Sequence, residues 1–412
     1  MRAIGFSGQM HGVVLTDEAG RALRPAMLWP DTRANALLDA WPQPQSNPVA
    51  PGMAGPLLRW AMLHDADTAR AARWALQPKD WLRVALGGAI AADPSDACAT
   101  ALATPDGAWD HALIARLGLP SRWFAPLAAS AESNGKLSAD AAHALGLAAG
   151  IPLATGAGDT PCAALGSGLA PEGDALLTTG TGGQIVVTAR DEPLARRGLH
   201  RYRSASGGWY TMAAMQNVGV ALEAARGWLS YDWARAYKEA FDTAPSATLA
   251  FLPYLSGERS PWLDPAARGG WLGAGLSDTG GTLMRAAFEG VAFALRAGLD
   301  AIRESDTPIS PISPITRLKL AGGGSVDARW RQLLADALDV ELDAIDCPNA
   351  AARGAALLGG LACGHWRESD LAALAPTATR VASPRKDAAL DERYARFIDL
   401  YGRVRSWFPA TR

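Results

Sequence analysis

Charge of one sign, long apolar runs and clustered metal ligands are all lacking in this chain of 412 residues. Its 39 Lys and Arg stand against 41 Asp and Glu, a formal charge of −2, and neither sign gathers into a long run. That excludes the electrostatic footprint of a nucleic-acid-binding or membrane-surface protein. No uninterrupted apolar run approaches the ~18 residues of a membrane span, and the opening positions carry no basic, apolar, small-residue signal sequence. The expectation is a soluble, cytoplasmic protein with no nucleic-acid and no membrane partner. Cys98, Cys162, Cys347 and Cys363 include no Cys-x-x-Cys pair, so neither a disulfide framework nor a zinc site is indicated, and buried free thiols are expected. The six histidines show no His-x-x-x-His face, and no protein metal site is expected.

What is present is length and apolar content: 49% of residues are hydrophobic, and a chain this long favours two domains over one core. The Gly168–Gly173 stretch, with Pro171, reads as the boundary, giving domains 1–168 and 169–412. Arg2–Ser7 and Gly12–Thr16 read as strands joined by a polar loop, and Leu57, Leu58, Ala61, Met62 and Leu63 follow helical spacing. Ile151–Thr155 runs through Gly156–Asp159 into a helix starting near Thr160 or Pro161. Ala175–Leu177 and Gln184–Thr188 flank a Gly and Thr turn as a hairpin. Leu318–Ala321 is a strand before Gly322–Ser325, and Trp330, Leu333, Leu334, Ala337 and Leu338 mark the clearest amphipathic helix. Pro308–Ile315, a Pro-Ile-Ser repeat, reads as an extended surface loop. Strands alternating with helices in both halves indicate an α/β protein.

Three glycine-rich turns each follow a strand: Gly156–Asp159, Gly180–Gly183 and Gly322–Ser325. Glycine lets backbone N–H groups approach an anion closely, so a nucleotide is the natural ligand, although for any single turn a tight strand-to-helix connection is the commoner explanation. None has the order of a dinucleotide fingerprint or a P-loop. Asp159 ends a strand on such a turn; it could take a proton from a substrate hydroxyl or serve as a helix N-cap. Gln9, Met10 and His11 could contact a polyhydroxylated ligand, though a lone loop histidine is commonly structural. Asp31 with Arg33, and Glu258 with Arg259, could bind sugar hydroxyls or form surface ion pairs worth little.

In order along the chain, these segments resemble the FGGY carbohydrate kinases, and within them the xylulokinases. The resemblance rests on S-G-Q-M-H-G at Ser7–Gly12, L-W-P-D-T-R at Leu28–Arg33, P-K-D-W-L at Pro78–Leu82, G-A-G-D at Gly156–Asp159 and G-T-G-G at Gly180–Gly183. It continues with F-L-P-Y-L-S-G-E-R at Phe251–Arg259, A-G-G-G-S at Ala321–Ser325 and R-G-A-A-L-L-G at Arg353–Gly359. It implies an actin-like (ribonuclease H-like) ATPase fold with a cleft between two domains, ATP and Mg²⁺ as cofactors, and phosphorylation of D-xylulose at O5. Asp159 would be the general base. Gln9, Met10, His11, Asp31, Arg33 and Thr160 would meet the sugar. Gly180, Thr181, Gly182 and Gly183 would face the phosphates, and Gly322, Gly323 and Gly324 the adenosine, with Asn349 and Gly354 beside them. Mg²⁺ would be held mainly through phosphate oxygens and water. The partners implied are the sugar and ATP, with a homodimer left open.

The chain departs from the family pattern at its start. Family members open tens of residues earlier, with a strand-turn-strand segment carrying D-x-G-T that contacts Mg²⁺ and phosphates. The position of Met1 is often Val, so the expectation is a reading frame opened too late, at an internal GTG codon, or else a real truncation. With the first strands of the N-terminal domain missing, poor solubility or weak activity follows for the chain as it stands. A catalytically dead sugar- or nucleotide-binding remnant, or a kinase for another ketose such as ribulose, are the rival readings. Leu57 replaces the family's usual Lys, and Thr160 stands where xylulokinases commonly place Asn.

Overall fold

The computed structural model describes residues 1–42, 47–169, 173–304 and 315–408, and nearly all of the Pro-Ile-Ser repeat lies outside the described residues. Among the described residues, six strands precede residue 170: β1 (Ser7–Gly8), β2 (Val14–Thr16), β3 (Trp74–Leu76), β4 (Ser133–Lys136), β5 (Pro152–Ala154) and β6 (Ala157–Gly158). They pair two by two. β1 runs parallel to β6, with Ser7 opposite Ala157 and Gly8 opposite Gly158, and β2–β3 and β4–β5 are antiparallel. The two opening strands are joined by the polar loop as expected, yet each pairs with a segment far along the chain. β1 is also shorter than the Arg2–Ser7 segment, of which Ile4 makes only a single bridge to Leu153.

Ahead of β1 in the packing, the helix Pro78–Ala85 buries Lys79, Asp80 and Arg83 completely. Lys79 Nζ lies 2.7 Å from Asp80 Oδ1, 2.9 Å from Asp93 Oδ1 and 3.8 Å from Asp96 Oδ2. Arg83 bonds Asp80 at 2.7 Å and the carbonyls of Thr155 and Ala91, both at 2.6 Å. Burial disfavours charge on Lys79, but the three carboxylates outweigh it and hold its pKa above the ordinary lysine value. Asp96 is displaced the other way: burial raises its pKa, with Lys79 pulling it down. Two cations, Lys79 and Arg83, thus meet the carboxyl groups of Asp80, Asp93 and Asp96 in the interior, and this mutual pairing is how so many ionisable groups tolerate burial.

The second half is organised by strands β7 (Ala175–Thr179), β8 (Gly183–Ala189), β9 (His200–Arg203), β10 (Trp209–Met215), β11 (Ala250–Leu252), β12 (Gly270–Leu272), β13 (Arg317–Ala321), β14 (Glu341–Ile345) and β15 (Ala378–Ala382). Seven form one sheet in the order β15-β14-β13-β7-β8-β10-β9, with β13 parallel to both β7 and β14; β11 and β12 pair separately. β10 is buried along its whole length because the sheet is covered on both faces. Ile185, Val187, Ala213 and Met215 face the core built around the 24-residue helix Gly280–Arg303, whose Thr279 and Thr282 form a capping box. The alternate residues Val186, Tyr210, Met212 and Ala214 face Met10, Cys98 and Ala99 of the first half. The period-2 alternation thus assigns one face of the sheet to its own core and the other to the join between halves.

The hairpin β7–β8 and the helix Ala328–Leu338 form where the pattern indicated, the latter with Trp330, Leu333, Leu334, Ala337 and Leu338 all buried. The helix Ala350–Ala362 crosses back to pack on the helix Asp159–Gly166. All four cysteines are unpaired.

Candidate active site

Helix Asp159–Gly166 starts directly after β6, so Asp159 stands at the end of a strand with its carboxylate directed into a cavity of about 370 Å³. It is not a conventional cap. Gly158 holds the N-cap position, and Asp159 Oδ1 accepts the N–H (2.7 Å) and Oγ1–H (3.3 Å) of its own neighbour, Thr160. Oδ2 makes no hydrogen bond among the described residues. The carboxylate is open to the cavity but enclosed by protein elsewhere; that burial raises its pKa, with the Thr160 donors and His11 pulling the other way. One oxygen is oriented and the other is free, which suits a proton acceptor.

His11 lies at φ 75°, and its Nδ1 is 2.7 Å from the carbonyl of Ala99. A carbonyl only accepts, so Nδ1 carries the proton and Nε2 presents a lone pair. Burial lowers the His11 pKa, opposed by the Ala99 bond and by Asp159, so the ring is neutral. Gln9, Met10 and Thr160 line the same cavity, with the Met10 thioether buried 3.9 Å from the Tyr210 hydroxyl. Asp31 and Arg33 are not brought there, a correction to the sequence reading: they pair with each other at 2.8 Å, and the Arg33 guanidinium lies over the Trp60 ring at 4.6 Å. The surface-pair alternative is the one realised.

The cavity is not the property of the first half alone. Gln184, His200, Tyr202, Met212 and Arg259 line it from the second half, and Val49, Met53 and Trp29 from the first. The edge strand β9 sends His200 and Tyr202 inward together, 3.0 Å apart from Nδ1 to hydroxyl. Burial lowers the His200 pKa to about 3, helped by the Arg259 charge and by the proximity of the His11 ring. Asn47 clasps this strand by donating to the Arg201 carbonyl at 2.9 Å and accepting the Arg201 N–H at 2.8 Å, as a neighbouring strand would. Of these residues the sequence reading reaches only Arg259; Gln184, His200, Tyr202 and Met212 are missed, and the alternation in His200-Arg201-Tyr202-Arg203 was the one available signal.

The remaining glycine turns meet at one end of the large sheet. β7 and β13 are parallel neighbours with Thr178 opposite Ala321, which brings the Gly180–Gly182 turn alongside Gly322–Gly324. Gly324 N–H donates to Thr179 O at 3.2 Å, and the Thr179 and Ser325 hydroxyls are 2.6 Å apart. Gly322 has φ 93°, and a Cβ there would sit 2.2 Å from Thr179 O, so only glycine permits this approach. Gly180, Thr181, Gly322 and Gly323 are exposed, and Asn349, in the left-handed region after β14, is exposed on the following helix start. This is a backbone-lined floor at the carboxyl ends of parallel strands, where anions and nucleotides bind α/β sheets. Gly183 closes the Gly180–Gly183 turn and the next residue, Gln184, lines the cavity, so floor and cavity adjoin. Gly354 is a second correction. It is buried, and a Cβ there would lie 1.9 Å from Cys162 O, so its role is the close crossing of the two helices rather than nucleotide contact.

Among the described residues no group of three His, Cys, Asp or Glu could hold a metal ion, and no helix is long and apolar enough to cross a membrane. Two halves meeting at a cleft, a mixed sheet with a glycine floor, and an aspartate in the cavity that adjoins it define a sugar kinase of the actin-like ATPase fold. Residues 1–166 match the N-terminal domain, and residues 175–363 the C-terminal domain, of the FGGY family of carbohydrate kinases; the chain belongs to that family. It is 33% identical to the xylulose kinase of Escherichia coli, covering 83% of this chain and 72% of that one. It is 28% identical to the xylulose kinase of Bacillus subtilis, covering 97% and 82%. Among solved structures, a xyloylose kinase from Brucella ovis superposes with a TM-score of 0.90 at 33% identity, over 99% of this chain and 85% of that one. The xylulose kinase of Rhodospirillum rubrum does so at 0.87 and 26% identity, over 98% and 84%.

Proposed function

We propose that this sugar kinase transfers the γ-phosphoryl group of ATP to O5 of D-xylulose, giving D-xylulose 5-phosphate and ADP. The observation that carries the reading is the free Oδ2 of Asp159 in a cavity whose wall continues into the glycine floor. Asp159 Oδ2 takes the hydroxyl proton as the sugar oxygen bonds to phosphorus, and the bond to the ADP oxygen breaks. Thr160 holds the other carboxylate oxygen so that the acceptor lone pair keeps its direction. His11, neutral and fixed by Ala99, and Gln9 offer hydrogen-bonding groups to sugar hydroxyls. The exposed Gly323 backbone, with nothing within 4 Å of a Cβ built there, lets the nucleotide's phosphates come close, while the Gly180 N–H closes its own turn on Gly182 O at 2.9 Å. Among the described residues the carboxylates form no cage for Mg²⁺, and magnesium, which neutralises charge on the phosphates when bound, is assigned to phosphate oxygens and water.

The relatives named xylulose kinases favour this sugar; Thr160 in place of Asn favours a second reading, another ketose such as ribulose in the same site. The test is ADP formation from Mg-ATP with D-xylulose, D-ribulose, glycerol and gluconate compared by kcat/KM. D-xylulose should rank first. A higher value for ribulose moves the assignment to the second reading, and no stimulation by any of the four contradicts the kinase proposal.

A further inference from the structure

Of the residues lining the cavity, Arg259 is the one permanent cation, and its guanidinium makes no hydrogen bond or ion pair among the described residues. It does not neutralise Asp159. The two histidines that share the cavity are neutral, and the Arg259 charge is among the causes. An uncharged ketose gives a guanidinium no counter-charge, whereas a phosphoryl group offers exactly that in a planar, multidentate form.

The loop that carries Arg259 is anchored to the phosphate side of the cleft. Buried Glu258 accepts the N–H of Gln216 at 2.6 Å and of Arg259 at 2.8 Å, and the Asn217 amide at 3.2 Å. Asn217 in turn accepts from Ser256 N–H at 3.2 Å and Oγ at 3.0 Å. Ser260 Oγ accepts Ala214 N–H at 2.8 Å and donates to Gly198 O at 2.6 Å. These bonds tie residues 256–260 to the end of β10, where Met215 pairs with Gly183 and where the Met215 and Gln216 carbonyls bound Gly182. Arg259 is therefore stationed between the phosphate turn and the sugar cavity by a rigid backbone, with its head free.

We propose that Arg259 binds the phosphoryl group as it passes from nucleotide to sugar, and afterwards the phosphate of the sugar phosphate product. The proposal rests on the kinase reading above and adds a second group at the reacting atoms: Asp159 receives the proton, and Arg259 meets the charge on the equatorial phosphoryl oxygens. It makes Arg259 a catalytic residue rather than one that recognises the sugar.

The experiment compares wild type, Arg259→Met and Arg259→Lys in steady-state kinetics and, without nucleotide, in calorimetric binding of D-xylulose and of D-xylulose 5-phosphate. Arg259→Met should lower kcat by about 10²- to 10³-fold, weaken the phosphate ester by about tenfold or more, and leave D-xylulose binding within twofold; Arg259→Lys should fall between. A loss of D-xylulose affinity equal to the loss for its phosphate, or a kcat within twofold of wild type, overturns the proposal. Arg259 is exposed and unpaired, so an unchanged melting temperature certifies the fold of the variants. If wild type forms no ADP with any sugar, the kinase reading fails by itself. The binding arm still decides for Arg259, upheld by a phosphate preference that vanishes in Arg259→Met and overturned by equal affinities in wild type.

Discussion

Lowering the pH from 7.5 to 5 should destabilise this protein through His200 in a way that one substitution isolates. The imidazole is partly buried beside Tyr202, and its pKa falls from 6.5 to about 3, chiefly through loss of solvation. The unfolded chain therefore binds a proton below pH 6.5 that the folded chain refuses until about pH 3. The stability is complete above pH 6.5 and is lost as pH falls through that value, at about 1.4 kcal/mol per unit. Integrated from pH 7.5 to 5, His200 accounts for about 2 kcal/mol. His11 adds loss of the same sign, so the comparison must be differential. Urea unfolding of wild type and His200→Gln at both pH values supplies it: any fixed cost of the substitution cancels, and wild type should lose about 2 kcal/mol more than the variant. Equal losses would refute the argument that His200 is held neutral.

Other outcomes follow from the same geometry. Lys79→Met leaves Asp80 and Asp93 facing one cation fewer in the interior and should cost about 3–5 kcal/mol by chemical denaturation; a loss below ~1 kcal/mol, the range of exposed pairs, would place the cluster in contact with water. Gly322→Ala puts a Cβ 2.2 Å from Thr179 O at φ 93°, so ATP affinity should collapse while ketose binding persists, both read by calorimetry. Asn47→Ala removes both bonds to β9, worth about 1–3 kcal/mol together, and should raise the ketose KM roughly 5- to 100-fold with the ATP KM unchanged.

The parts of the site legible in the sequence are those built from contiguous residues. Asp159 could be singled out because strand, glycine turn and helix start follow one another in a few positions, and the helix at 328–338 because its apolar stripe is strictly periodic. Base and N-cap could not be separated there, since the choice depends on the exact helix start and on where the carboxylate points, a matter of backbone and side-chain torsion. His200, Tyr202 and Gln184 escaped notice because which face of a strand meets the cleft is decided by what packs on the other face, here the helix Gly280–Arg303. Asp31 and Arg33 carried the right chemistry in a motif, but two residues apart they satisfy each other. Pro78–Leu82 was visible as a motif while its burial was not, because two of its three partner carboxylates come from Asp93 and Asp96, outside the motif.

The account stands on Asp159 as the base of a sugar kinase, and D-xylulose-dependent ADP formation by wild type and Asp159→Asn tests it most directly. Asparagine keeps the size and the bond from Thr160 N–H but cannot take a proton, so kcat should fall by about 10²- to 10⁴-fold while D-xylulose still binds. A variant that turns over within tenfold of wild type would contradict the assignment of Asp159 and the mechanism built on it.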